Sequence, residues 1–424
     1  MIYDREAEGE SDKSGAISMD SLITAGALSL AAGDPLGALN LVALRDDAPA
    51  LALRGIAMAQ LGDLDRAKAL LARAARAFGS REAVARARCV VAEAEIALVS
   101  RDLGRPQQTL DAARTVLADH GDRVNAAYAG YLALRRLLLL GRLDEAEARR
   151  AAFDPAPLPP AARAAYELVV AGIEIRRLRT APARAALANA ARAAAQAGIP
   201  SLSAEVEAAA RVLTTPAARL IADGNERLLL LEEVEALLAS PSLVVDATRN
   251  AVRAGGAIVS LDRRPVLFTL ARVLAESWPG DASRTDLLRR AFRARQSDES
   301  HRARLRVEIG RTRAALRGLA GITATPNGFR LMPDGDRDVV VLAQPVEDDH
   351  AAVLALLSDG EAWSSSALAL ALGISQRSVQ RALERLAETG KAQPFGRGRA
   401  RRWVAASVPG FPTGLLLPSP LASR

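Results

Sequence analysis

The stretch Ala52-Leu-Arg-Gly-Ile-Ala-Met-Ala-Gln-Leu-Gly-Asp-Leu-Asp-Arg-Ala-Lys-Ala-Leu-Leu-Ala-Arg-Ala-Ala-Arg-Ala-Phe78 reads as two helices joined at Leu61-Gly-Asp-Leu-Asp-Arg-Ala67. The joining phrase returns at Gly33-Asp-Pro-Leu-Gly-Ala38 and Leu140-Gly-Arg-Leu-Asp-Glu-Ala146, and more weakly at Arg179-Thr-Ala-Pro-Ala-Arg-Ala185. A degenerate copy around Asp102 to Leu110 leaves steps of roughly 30 to 40 residues. Each phrase closes on an alanine, at positions 38, 67, 146 and 185, where a larger side chain would push the helix pair apart. A repeating helix pair of this kind predicts a mostly α chain whose first half is a helical array. The run Asp154 to Pro160 carries four prolines and is expected to be a loop between pairs.

Composition agrees with that reading. Hydrophobic residues make up 50% of the 424 residues and aromatics only 3%, so the core is built from Ala, Leu and Val. Small aliphatic side chains suit close helix packing better than large sheets. Cys89 is the single cysteine, which excludes an intrachain disulfide and any multi-cysteine metal site. It is expected to pack as a small apolar residue. No phosphate-binding glycine loop, His-Glu-x-x-His or Gly-x-Ser-x-Gly is present, so no enzyme activity and no cofactor are expected. The polar, acidic start from Met1 to Gly15 is unlike a signal peptide, and charges interrupt every apolar run before membrane-spanning length. A cytoplasmic, nucleoid-associated protein without a membrane partner is the expectation.

The formal net charge is +7, nearly all its positive part arginine, and it is unevenly placed. Leu261 to Arg330 carries 15 Arg against 7 Asp+Glu, whereas the first 260 residues sum to −1. A basic excess in the C-terminal half predicts a nucleic-acid surface there.

The repeated phrases resemble tetratricopeptide repeats over residues 18–240, and that resemblance implies a solenoid that holds a protein or peptide partner. After Pro241, β-type runs at Leu243 to Ala247, Asn250 to Arg253 and Ala257 to Leu261 precede helices at Pro265 to Ser277, Thr285 to Arg293 and Ser300 to Leu319, then a hairpin from Ile322 to Leu331. This order resembles the winged helix of OmpR/PhoB-type regulators, without their receiver domain. The resemblance makes the long helix a recognition helix and Thr325 to Leu331 its wing. Leu305, Ile309, Thr312 and Leu316 then face the core, Arg302, Arg304 and Arg306 are expected on DNA, and Arg313 and Arg330 on the phosphate backbone. His301 is a further candidate for phosphate contact. An arginine-rich helix that is only a solvated face is the competing reading.

Farther on, Ala369-Leu-Ala-Leu-Gly373-Ile-Ser-Gln-Arg-Ser-Val379 has the helix-turn-helix pattern: alanine at the crossing, glycine in the turn, a β-branched residue locking the second helix. Helices are predicted at His350 to Ser358, Ser365 to Leu372 and Gln376 to Glu388, with Ser375 as N-cap. Val379, Leu383 and Leu386 would point inward. Gln376, Arg377, Gln380, Arg381 and Arg385 would point outward, where Gln and Arg can pair with adenine and guanine. Lys391 to Val404 resembles the wing of MarR-like and IclR-like regulators, with Arg397, Arg399 and Arg401 at or beside its tip.

The expected organisation is a disordered N-terminus (1–17), a tetratricopeptide-like array (18–240), a first winged helix (241–333), a linker (334–349), a second winged helix-turn-helix (350–405) and a Pro-rich tail (406–424), disordered or docked through Leu415 to Leu417. The function expected is sequence-specific recognition of double-stranded DNA by a transcriptional regulator of bacterial type, with the array as sensor and homo-oligomerisation left open. The alternatives are an adaptor that uses its winged helices for protein contact and, less favoured, an RNA-binding protein.

Overall fold

The computed structural model describes residues 21–30, 32–79, 81–104, 107–292, 299–345, 350–357, 362–396, 398 and 401–405. The expected disordered N-terminus and Pro-rich tail lie outside them. The chain divides into two compact units: one comprises residues 1–173, 185–207 and 352–424, the other residues 174–184 and 208–351.

Residues 21–210 form a run of helices: α1 (21–30), α2 (Pro35–Val42), α3 (Ala48–Gln60), α4 (Leu64–Ala77), α5 (Ala83–Val99), α6 (Gln107–Asp119), α7 (Arg123–Leu139), α8 (Leu143–Ala151), α9 (Pro160–Arg176), α10 (Thr180–Ala197) and α11 (Pro200–Ala210). One backbone device ends many of them. Gly62 takes φ +85°, its N–H donates to the Ala59 carbonyl, and the next N–H, of Asp63, donates to the Met58 carbonyl. That pair of bonds satisfies carbonyls the helix end would otherwise leave open. The same pair recurs at Gly33, Arg101, Gly121, Gly141 and Leu178. Asp34, Asp63 and Asp122 then cap the following helix, each side chain accepting an N–H three residues on.

Ala38, Ala67 and Ala146 are buried at the helix contacts, as their place in the phrases predicts. In the weaker copy the buried alanine is Ala183, whereas Ala185 is exposed, because Leu178 rather than a glycine takes the left-handed turn and moves the phase. The turn at Gly121-Asp122 is a further copy, additional to the degenerate one at Asp102. Helix-interior glycines complete the close approach: a Cβ on Gly55, Gly130 or Gly172 would lie 2.8, 2.7 or 2.7 Å from Leu71, Phe153 or Leu138. Residues 153–159 form the expected loop, and Pro160 opens α9. Cys89 is buried on α5, and burial pushes its thiol up to about 12.

The second unit carries a six-stranded sheet in the order β2-β1-β9-β3-β4-β5, built from β1 (Ala218–Ala222), β2 (Asn225–Leu229), β3 (Leu243–Asp246), β4 (Ala251–Ala254), β5 (Ala257–Ser260) and β9 (Val339–Ala343). All neighbours are antiparallel except β3 and β9, which run parallel. The predicted meander is β3-β4-β5. Two expectations are corrected here: residues 218–229 are strands, not part of the helical array, and the expected linker contributes β9, which is buried along its whole length in mid-sheet. Val244, Val340 and Leu342 face α12 (Leu231–Ala239), while Leu243, Val245, Val339 and Val341 face a larger core. A strand covered on both faces reads as an unbroken apolar run.

That larger core is closed by α13 (Pro265–Glu276), α14 (Arg284–Phe292), α15 (Glu299–Ala315) and a three-stranded antiparallel sheet, β6-β8-β7, of β6 (Ala282–Ser283), β7 (Ala320–Ala324) and β8 (Gly328–Pro333). The expected helices and hairpin are present. No helix among the described residues is long and apolar enough to cross a membrane.

Candidate nucleic-acid interface

Three helices, α16 (Ala351–Leu357), α17 (Ser365–Leu372) and α18 (Gln376–Glu388), are followed by the antiparallel strands β10 (Ala392–Phe395) and β11 (Arg402–Ala405). Ser364 caps α17 through the Ala367 N–H at 3.1 Å, and Ser375 caps α18 through the Ser378 N–H at 3.2 Å. Between them Gly373 takes φ +64°, the left-handed value that lets the chain turn sharply. Val379, Ala382, Leu383 and Leu386 are buried and clamp α18 to the module. The fully buried alanine of α17 is Ala367, and Ala369 is half-buried, its carbonyl accepting from Gly373 and Ile374. Trp363 and Trp403 exchange both backbone hydrogen bonds at 2.8 Å, which adds a third, one-residue rung to the β10-β11 ribbon.

Residues 350–408 match the family model of the winged helix-turn-helix. No curated protein and no solved structure shows significant similarity to the chain. The match covers one module, and its boundaries enclose α16 to β11.

On the winged helix-turn-helix, α18 presents Gln376, Arg377, Gln380, Arg381 and Arg385 to solvent. Arg377, Gln380 and Arg381 have no ion pair or hydrogen bond among the described residues. Gln376 donates to the Ser365 hydroxyl at 3.0 Å, and Arg385 lies 3.6 Å from Glu388. Helical spacing places Glu384 on the same outward stripe as Arg377 and Arg381. That carboxylate was not among the outward residues expected from sequence, which were the Gln and Arg donors alone. Arg401 stacks over Trp403 at 4.6 Å, and Arg397 and Arg399 lie outside the described residues.

The other cationic surface is α15, where Leu305, Ile309, Thr312 and Leu316 are buried as their spacing predicts. Arg302 and Arg306 are exposed, 3.7 and 3.9 Å from Glu299, and Arg304 stacks 4.7 Å over Phe292. Arg313 differs from expectation: its Nε and Nη2 donate to the Ile322 carbonyl at 2.9 and 2.6 Å, so it pins the helix to β7. Arg330 is likewise paired, its Nε 2.7 Å from Asp281. The Thr325 hydroxyl, with Arg330, holds the Asp281 carboxyl below its usual range. These two arginines therefore serve first to brace the hairpin. His301 is half-buried. Among the described residues no cluster of His, Cys, Asp and Glu is arranged to hold a metal.

Within the first unit the winged helix-turn-helix is packed against the helical array. Trp363 is completely buried, with the Arg101 guanidinium 5.1 Å from its ring centroid, and Arg101 is itself the left-handed residue of the turn between α5 and α6. A Cβ on Gly141, in the turn between α7 and α8, would lie 3.6 Å from the Ala371 carbonyl. These contacts join the winged helix-turn-helix to the array within one unit.

Proposed function

We propose that the chain is a DNA-binding transcriptional regulator whose C-terminal winged helix-turn-helix reads duplex DNA through α18. The observation that carries this reading is the outward face of α18, where Arg377, Gln380 and Arg381 have no partner among the described residues, on a helix fixed by the Ser375 cap and a buried apolar seam. Side chains that make no intramolecular bond need break none of the protein's own to pair with base edges, and bidentate Arg–guanine or Gln–adenine pairs are each worth about 1 to 3 kcal/mol of discrimination. In this reading α15 with the hairpin β7-β8 is a second winged-helix reader of the OmpR/PhoB-like type. The tetratricopeptide-like array receives a protein or peptide partner, and the chain performs no catalysis and works in the cytoplasm on the nucleoid. Two readers on one chain raise each other's effective concentration at adjacent sites.

The test is selection of bound duplexes from a random library by the full chain, beside Arg377→Ala and Arg381→Ala. A defined motif that loses information at particular base pairs in each variant is the expected outcome. Recovery of no enriched duplex, or of the same motif by all three proteins, contradicts it.

A further inference from the structure

The two exposed helices differ in chemistry, and the difference assigns α15 a distinct way of meeting DNA. Along α15 the buried residues Leu305, Ile309, Thr312 and Leu316 fix one side, so the opposite side is centred on Ala303, Val307, Gly310 and Ala314. All four are exposed, Val307 to 53%. Arginines flank that strip: Arg302, Arg306, Arg313 and Arg317 on one side, Arg304 and Arg311 on the other.

Gly310 is the informative position. Glycine inside a helix costs about 1 kcal/mol relative to alanine, and a Cβ built on Gly310 meets none of the described residues within 4 Å. Its φ is ordinary, so neither backbone conformation nor internal packing requires glycine. The requirement then lies outside the chain, in something that approaches the helix closely. Val307 points the same way, an exposed β-branched apolar residue set among cations.

We propose, resting on the DNA-binding reading above, that α15 enters the major groove with Ala303, Val307, Gly310 and Ala314 against its floor, recognising thymine methyl groups by apolar contact at Val307. A helix with full-length side chains is about 10 to 12 Å across and the groove about 12 Å wide, so small residues on the leading strip let the helix sit deeper. Depth brings the flanking arginines level with the phosphates on either wall. Of these, Arg302 and Arg306 pair with the exposed Glu299 in ion pairs of the kind worth about 0 to 1 kcal/mol, readily exchanged for phosphate, whereas Arg304 and Arg313 keep the contacts to Phe292 and Ile322 described above. By contrast α18 presents Arg377, Gln380, Arg381 and Glu384 on its leading strip, groups that read by hydrogen bonds. The chain thus combines a methyl-reading helix and a hydrogen-bond-reading helix.

The experiment uses the full chain and the duplex it selects from a random library, with each thymine replaced in turn by uracil, which removes only the methyl group. Wild type should lose about fourfold in affinity at one or two thymines, the worth of one buried methyl. Val307→Ser should lose that sensitivity while keeping its response to base changes read by α18. Gly310→Trp should weaken binding by at least about tenfold with an undiminished melting temperature, since the Cβ position opens away from the described residues. Wild type indifferent to every uracil replacement, or Gly310→Trp binding as wild type, overturns the proposal while leaving DNA binding itself standing. A wild-type chain that retains no duplex overturns both.

Discussion

Gly62 and Arg101 hold the same left-handed turn with different side chains, and the difference is a matter of cost. A residue with a Cβ in that region is disfavoured by about 1 to 2 kcal/mol, which sets the expected loss for Gly62→Ala, read from urea unfolding of the full chain. Ala67→Leu should cost about 1 to 3 kcal/mol by overpacking the α3–α4 contact. A buried acid in the array adds a pH dependence. Glu95 lies on α5 and accepts the Tyr128 hydroxyl at 2.6 Å; burial raises its carboxyl from 4.5 to about 8, against the opposing effects of Tyr128 and Arg135. The folded state therefore keeps a proton that the unfolded state releases above pH 4.5. The stability this proton maintains is full below that pH and is lost as pH rises toward about 8, by at most about 1.4 kcal/mol per pH unit. Glu95→Gln should flatten that slope in denaturant melts across the same range.

At the scale of elements, α17 and α18 were legible to the residue, because serine caps and a turn glycine mark their ends in the sequence itself. The array was legible at Gly33, Gly62 and Gly141, was missed at Gly121, and was mis-phased near Ala183 because Leu178 replaces the glycine that would have marked the turn. The hairpin β1-β2 was missed although Asp223-Gly224, both at positive φ, is a two-residue hairpin signal; the surrounding Ala and Leu read equally well as helix. Within the expected linker the run Val339 to Gln344 reads as a possible strand, but its place in mid-sheet was not legible, since parallel pairing with β3 is a long-range event that no local pattern encodes. On the candidate interface the outward residues of α18 were legible from periodicity. The bracing roles of Arg313 and Arg330 were not, because they depend on how β7 and the turn before β6 pack, which helical periodicity does not encode. Arg313→Ala should loosen the hairpin from α15 and lower the melting temperature. Arg302→Ala, which breaks only an exposed pair, should leave it unchanged within about 0.5 kcal/mol.

At the scale of the molecule, a cut between residues 240 and 241 separates β1 and β2 from the sheet that β9 and β3 complete. A fragment of residues 241–405 should accordingly melt without cooperativity, whereas one of residues 174–345, which keeps all nine strands of the second unit and the Thr180 N–H to Glu235 bond at 2.8 Å, should unfold in a single transition followed by circular dichroism. The Arg101–Trp363 stack carries a parallel expectation for the first unit. Trp363→Ala should destabilise it by about 3 to 5 kcal/mol, the usual cost of emptying a large aromatic site. The account stands on duplex binding by the arginine-bearing helices, and the salt dependence of that binding tests it most directly. If both engage, about 6 to 10 phosphates are neutralised, and affinity for a selected duplex should fall by about 10³ to 10⁵ between 50 and 200 mM salt. Arg377→Ala should shift that line to weaker binding while changing its slope little, and a wild-type slope near zero would contradict the account.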